Sequence, residues 1–133
     1  MKPNELMIGD WVQVPSLIDN MEHYDALFKV RQLRDCDLDV IGFKELKYNE
    51  IAPIPITAEI LKKNGFVKQD YDGWLISENN GRRLIEYRTD YFDGLLIINY
   101  VEEPYSKISI KLKYVHELQH ALRLCGNEKE IKI

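Results

Sequence analysis

Three Asx-Gly pairs, Asp72-Gly73, Asn80-Gly81 and Asp93-Gly94, constrain this chain more than any other feature. Glycine takes a positive φ without steric cost, so such pairs close tight hairpins. Each stands beside runs whose apolar residues repeat with period two. Phe66–Gln69 and Trp74–Ser77 flank the first pair, Leu84–Arg88 follows the second, and Leu95–Val101 follows the third. Pro104 interrupts the pattern. Ile108, Ile110 and Leu112 then alternate with Ser109, Lys111 and Lys113 as a last strand. The second half of the chain therefore reads as an antiparallel β-meander.

Two helices flank it. Thr57 is a cap residue ahead of Ala58–Asn64, Glu59 lies in the first turn, and Gly65 is the stop. Phe66 then stands where a Schellman ending packs back on Leu61. The second helix is Tyr114–Cys125, closed by Gly126. At 100° per residue, Tyr114, Val115, Leu118, Ala121, Leu122 and Cys125 share an apolar arc. His116, Gln119, His120 and Arg123 fall on the other side, which predicts a solvated face. Ile131 and Ile133 alternate with Lys132 as a small edge strand.

The first half is β-rich and of another kind. Leu6-Met7-Ile8 leads into a turn at Gly9-Asp10 and a strand from Trp11 to Val14. Pro15–Tyr24 reads as a loop. Ala26, Phe28 and Val30 alternate with Leu27, Lys29 and Arg31, and Leu38–Val40 and Phe43–Tyr48 follow around a bend at Gly42. Short strands with a glycine bend predict a small SH3-like β-barrel. Ala52-Pro53-Ile54-Pro55 marks the boundary, because each proline lacks a donor and restrains its neighbour to extended backbone. The expected fold class is α+β. A small SH3-like subdomain covers residues 1–52. An α+β subdomain covers 53–133, an antiparallel sheet with helices near 58–64 and 114–125.

The string His116-Glu117-Leu118-Gln119-His120 spells the H-E-x-x-H pattern of zinc peptidases. Histidines four apart on a helix can share a zinc ion, and the glutamate between them can polarise a zinc-bound water. That makes His116 and His120 candidate metal ligands and Glu117 a candidate catalytic base. A catalytic zinc also needs a third protein ligand. Arg123 and Gly126 occupy the downstream positions where an extended motif would supply it. Glu128 and Glu130, just past the helix stop, are poorly placed to reach back. The expectation is no catalytic site, no cofactor and no metal, with a zinc-dependent hydrolase as the alternative.

Composition narrows the partners. The net charge is −4, with 45% hydrophobic and 30% charged residues among 133. That describes an ordinary globular chain without a general attraction to nucleic acid or anionic membrane. The aromatics Tyr71, Trp74, Tyr87, Tyr91, Phe92, Tyr100 and Tyr105, near Arg82, Arg83 and Arg88, have the composition of a base-stacking surface. Asp70, Asp72, Glu78, Glu86, Asp90 and Asp93 are interleaved with them, which argues against nucleic acid. Cys36 and Cys125 form no metal-type pair, and Cys125 is placed on the apolar arc as a free thiol. Charges in MKPNELMIGDW leave no leader-peptide core, and no apolar run spans a membrane. A cytoplasmic location is expected.

Leu6-x-Ile8-Gly9-Asp10-Trp11-Val12 at the start, Pro53-Ile54-Pro55-Ile56-Thr57 in the centre and Tyr114-Val115-His116-x-Leu118-Gln119 near the end occur in that order. In this the chain resembles a set of short uncharacterised proteins of Bacteroidetes genomes and their phages and mobile elements. The resemblance spans the whole chain and implies no particular activity. Members carry Gln and Asn where this chain has Glu117 and His120. The expected role is a non-catalytic accessory or interaction protein of a mobile element, with a protein as partner.

Overall fold

The computed structural model describes residues 1–15, 27–78, 81–89, 94–99, 106–127 and 129–133. The expected loop from residue 16 to Tyr24, the turn residues Asn80 and Asp93, Asp90, Tyr91, Phe92, Tyr100, Pro104, Tyr105 and the alternative ligand Glu128 lie outside the described residues. The chain divides into two compact units. One is Met1–Pro55 with Tyr114–His116, the other Ile56–Lys113 with Glu117–Ile133.

In the first unit, Pro3–Glu5 forms a 3-10 turn, closed by the Lys2 N–H donating to Glu5 Oε2 at 3.0 Å. The chain then reverses at Gly9, whose φ is +93°. Asp10 is buried, and its Oδ2 accepts the Met7 N–H at 2.7 Å. Leu6–Ile8 thus leads into the turn at Gly9-Asp10, as read from the sequence. Four strands follow, β1 Trp11–Gln13, β2 Leu27–Leu33, β3 Asp37–Val40 and β4 Phe43–Lys47. They pair antiparallel in chain order. The alternating residues Val12 and Val14, with Val30, Leu38 and Val40, form the core, joined by Leu6, Tyr48 and Ile51. A 3-10 turn, Tyr48–Glu50, follows β4. Ala52 then pairs with Gln13 through two hydrogen bonds of 2.9 and 2.8 Å. The described strands make a four-stranded antiparallel sheet, and no closed barrel is found among them.

The second unit is the expected meander. Strands β5 Val67–Lys68, β6 Gly73–Glu78, β7 Arg83–Arg88, β8 Gly94–Asn99 and β9 Ser106–Lys111 form one antiparallel sheet in chain order. Their register aligns Ile76, Ile85, Ile97 and Ile108 across four strands. Two helices accompany the sheet, α1 Ala58–Lys63 and α2 Val115–Leu124. Thr57 Oγ1 accepts the Ile60 N–H at 3.3 Å, the expected cap. Gly65, at φ +85°, ends α1, with the Phe66 N–H on the Leu61 carbonyl and the Gly65 N–H on the Lys62 carbonyl. That is the Schellman pairing read from the sequence. Helix α2 ends the same way at Gly126, where the Asn127 N–H reaches the Leu122 carbonyl at 2.9 Å.

On the isoleucine face of the sheet, Ile85 and Ile97 are buried, while Ile108 on β9 is exposed. Phe66, Ile76, Leu122 and Ile131 line one recess. Arg83, on the same face as Ile85, donates from Nη1 to the Cys125 carbonyl at the end of α2. The α+β class therefore holds, with two α-helices and antiparallel sheets among the described elements. Among the described residues, no helix is long and apolar enough to cross a membrane.

Ala52–Ile56 is extended, as its prolines require, and it is also paired. Pro55 bridges Tyr114, and the Ile54 carbonyl accepts the Val115 N–H at 2.9 Å. Residues 129–133 are not the expected edge strand. Their main chain is held by side chains instead, as described below.

Candidate functional site

The zinc-like string lies on α2, but its side chains do not stand as the apolar arc predicts. His116 and Gln119 are each only 5% exposed, while His120 is half-buried. The solvated-face expectation is corrected for these two residues. Gln119 is buried because it has main-chain partners. Its Nε2 donates to the Lys129 carbonyl at 3.1 Å and its Oε1 accepts the Ile131 N–H at 2.6 Å. His116 stacks on Tyr114, with the rings 6.0 Å apart and 9° from parallel. Tyr114 and Cys125, expected inside, are half-buried at the two ends of the helix. Cys36 and Cys125 are free thiols, and Cys36 is exposed.

Glu117 has a structural task. Its Oε2 accepts the Lys113 N–H at 2.8 Å. At the third position of α2 it reaches back to main chain ahead of the helix, as the acid of a capping box does. A carboxylate near a helix N-terminus is further favoured by the helix dipole. Glu130, the alternative ligand among the described residues, is exposed. Among the described residues, no three His, Cys, Asp or Glu side chains converge as a metal site requires.

A second constellation lies in the first unit, where sequence reading placed no site. Between β2 and β3 the register shifts at Arg31, and between β3 and β4 it shifts around Lys44 and Glu45. Such bulges re-aim side chains and bend strands. Between them opens a cleft of about 350 Å³, lined by Arg31, Gln32, Asp39, Val40, Gly42, Phe43 and Lys44. Phe43 is 40% exposed and Ile41, at the adjacent turn, is 58% exposed. Phe43 packs edge-on to Phe28 at 5.2 Å. The exposed residues Met7 and Ile8 lie at the same end of the sheet, since the Gly9 N–H bonds the Val30 carbonyl and the Ile41 N–H bonds the Lys29 carbonyl.

Asp39, on the lining of this cleft, is held in an ion-pair network. Arg34 binds Asp37 through Nε, and Asp39 through Nη2 at 2.6 Å and Nη1 at 3.3 Å. Asp39 Oδ1 also accepts the Glu45 N–H at 2.9 Å, at the bulge where Glu45 takes a φ of +57°. The Arg34 hydrogen bonds, aided by the Glu45 N–H, hold the Asp39 carboxyl down to about 2 from an ordinary 3.8. The same contacts, Asp39 first and then Asp37, raise Arg34. Because the folded value of Asp39 lies below the unfolded one, its stabilisation is complete above about 3.8 and lost as pH falls through about 2. Acid titration of the first unit should therefore show a falling stability limb between those values. Asp39→Asn should flatten it; an unchanged limb would mean that Asp39 does not link folding to pH.

A third cluster stands on the meander. The Tyr71 ring lies across Gly73, and its hydroxyl donates to Glu86 Oε2 at 2.6 Å. Arg88 caps that ring at 4.8 Å and pairs with Glu86 Oε1 at 3.3 Å. Glu86 is buried, so these contacts answer its charge. Gly73 is required here for space, because a Cβ would overlap the Tyr71 ring. Gly73→Ala should displace Tyr71, weaken the support of Glu86 and cost about 1–3 kcal/mol in urea denaturation. In a Tyr71→Ala background the same change should cost much less, a coupling that a double-mutant cycle reads directly. Equal costs in both backgrounds would remove this role for Gly73. Of the three arginines near the aromatics, Arg83 and Arg88 are thus engaged within the fold, while Arg82 is exposed.

No protein-family model, curated protein or solved structure matches the chain.

Proposed function

We propose that this is a non-catalytic interaction protein of the cytoplasm, an accessory component of a phage or mobile element, that engages a partner protein through the cleft of its first unit. The observation that carries the reading is the bulge-built cleft. Exposed Phe43 and Ile41 stand beside the cations of Arg31 and Lys44, with Asp39 held by the Arg34 network. An aromatic anchor with flanking charges on a sheet is the composition of a protein-contact surface.

The first unit is read as an SH3-like barrel. A barrel requires its first and last strands to pair. What supports the reading is the Gln13–Ala52 pairing that follows the 3-10 turn Tyr48–Glu50. The reading needs no metal or other cofactor. It assigns no nucleic-acid partner, in keeping with the net charge of −4 and the engagement of Arg83 and Arg88 within the fold, and no membrane.

The test is affinity capture from the native host with the whole chain, beside Phe43→Asp and Arg31→Glu variants whose melts match the wild type. One protein should be retained in stoichiometric amount by the wild type and lost with either variant. Equal retention by all three chains would take the cleft out of the interaction. Turnover of a substrate by the purified protein would overturn the non-catalytic reading.

A further inference from the structure

We propose that the groove of the second unit that holds residues 129–133 is a peptide-binding site, filled here by the chain's own segment and able to take the same segment from a second copy. Its walls are two buried side-chain amides, Asn64 at the end of α1 and Gln119 on α2. Asn64 Oδ1 accepts the Lys132 N–H at 2.7 Å and Nδ2 donates to the Lys132 carbonyl at 2.7 Å. Gln119 brackets Glu130, accepting the Ile131 N–H at 2.6 Å and donating to the Lys129 carbonyl at 3.1 Å. All four bonds go to main chain. The groove thus reads an extended backbone, the way a sheet edge reads an added strand.

Side-chain reading centres on Ile131, with Ile133 half-buried beyond it. Ile131 is buried in the recess with Phe66, Ile76 and Leu122, while Lys129, Glu130 and Lys132 are exposed. The ligand class is an extended segment with one aliphatic residue between polar neighbours. The two amides give the groove its demand for such a ligand. Emptied, Asn64 would keep its Nδ2 bond to the Ile60 carbonyl at 2.7 Å, but Asn64 Oδ1 and the Gln119 amide would lose the partners the segment gives them, a state that favours refilling by a chain of the right pattern. The seated segment is joined to α2 through Gly126, at φ +82°, and Asn127. The bonds made in cis and in trans are identical, so effective concentration decides between them.

Two full-length variants separate the halves of the site. Ile131→Asp spoils the segment and leaves the groove. Asn64→Leu with Gln119→Leu spoils the groove and leaves the segment. Sedimentation velocity should find each alone as a single chain and the mixture as a one-to-one complex with the mass of two chains. A synthetic heptapeptide of residues Asn127–Ile133 in excess should dissolve that complex. Where a variant lacks a cooperative melt, Ile131→Ala and Asn64→Leu alone take the two places. Folded variants that remain single chains when mixed would overturn the proposal. So would self-association of the Ile131→Asp chain equal to that of the mixture, because the contact would then lie elsewhere.

Discussion

Leu118→Asp will abolish cooperative folding of the second unit. Leu118 is 0% exposed at the centre of the buried side of α2. A carboxylate there is shut away from water, and the neighbouring Ala121 and Leu122 are buried and apolar. The expected loss is about 4 kcal/mol or more, in the class of changes that bury an unpaired charge. That is a large part of the roughly 5–15 kcal/mol that holds a domain together. Trp74 on β6 reports this unit, so the clean readout is its fluorescence during urea unfolding in a Trp11→Phe background. A cooperative transition at the wild-type midpoint would contradict the placement of Leu118.

His116→Ala is the second large effect, and there the structure and the helical wheel disagree. The wheel puts His116 on a solvated face, where truncation costs less than about 1 kcal/mol. Burial to 5% exposure and the stack on Tyr114 place it among large-to-small interior changes, at about 2 kcal/mol. His120→Ala, at a half-buried position, should stay below about 1 kcal/mol. Chemical denaturation of both variants reads the difference. Equal, small losses would restore the solvated-face reading.

Local chemistry was legible where it is local. The Thr57 cap, the helix stops at Gly65 and Gly126, and the turn at Gly81 follow from short-range rules about φ and main-chain donors, whereas Gly73, expected in a turn at positive φ, instead opens β6 and is needed for space beside Tyr71. The buried side of α2 was read only in part. A wheel that counts apolar residues cannot see that Gln119 finds the main chain of Lys129 and Ile131, a partnership that makes a buried amide acceptable. The same contact explains why Ile131 belongs to no strand. The cleft of the first unit was not legible at all. It depends on two bulges, and a bulge is a mismatch between two strands that neither strand's own sequence announces. Glu45 at positive φ offered no signal either, since glycine is the residue that usually marks such a position. The zinc-like string was legible as spelling. Its tertiary surroundings were not, with Glu117 holding the Lys113 N–H and His116 buried.

The claim that this string is structural is tested most directly by thermal melts of the wild type with and without EDTA, on protein purified without added metal and assayed for bound zinc. A structural metal would make a large contribution to folding, and a chelator would remove it. The account predicts superimposable melts and zinc well below one ion per chain. It also predicts that His116→Ala melts lower than the wild type by the same interval in both buffers. A wild type carrying stoichiometric zinc, whose melt falls in EDTA to that of His116→Ala and His120→Ala, would contradict it.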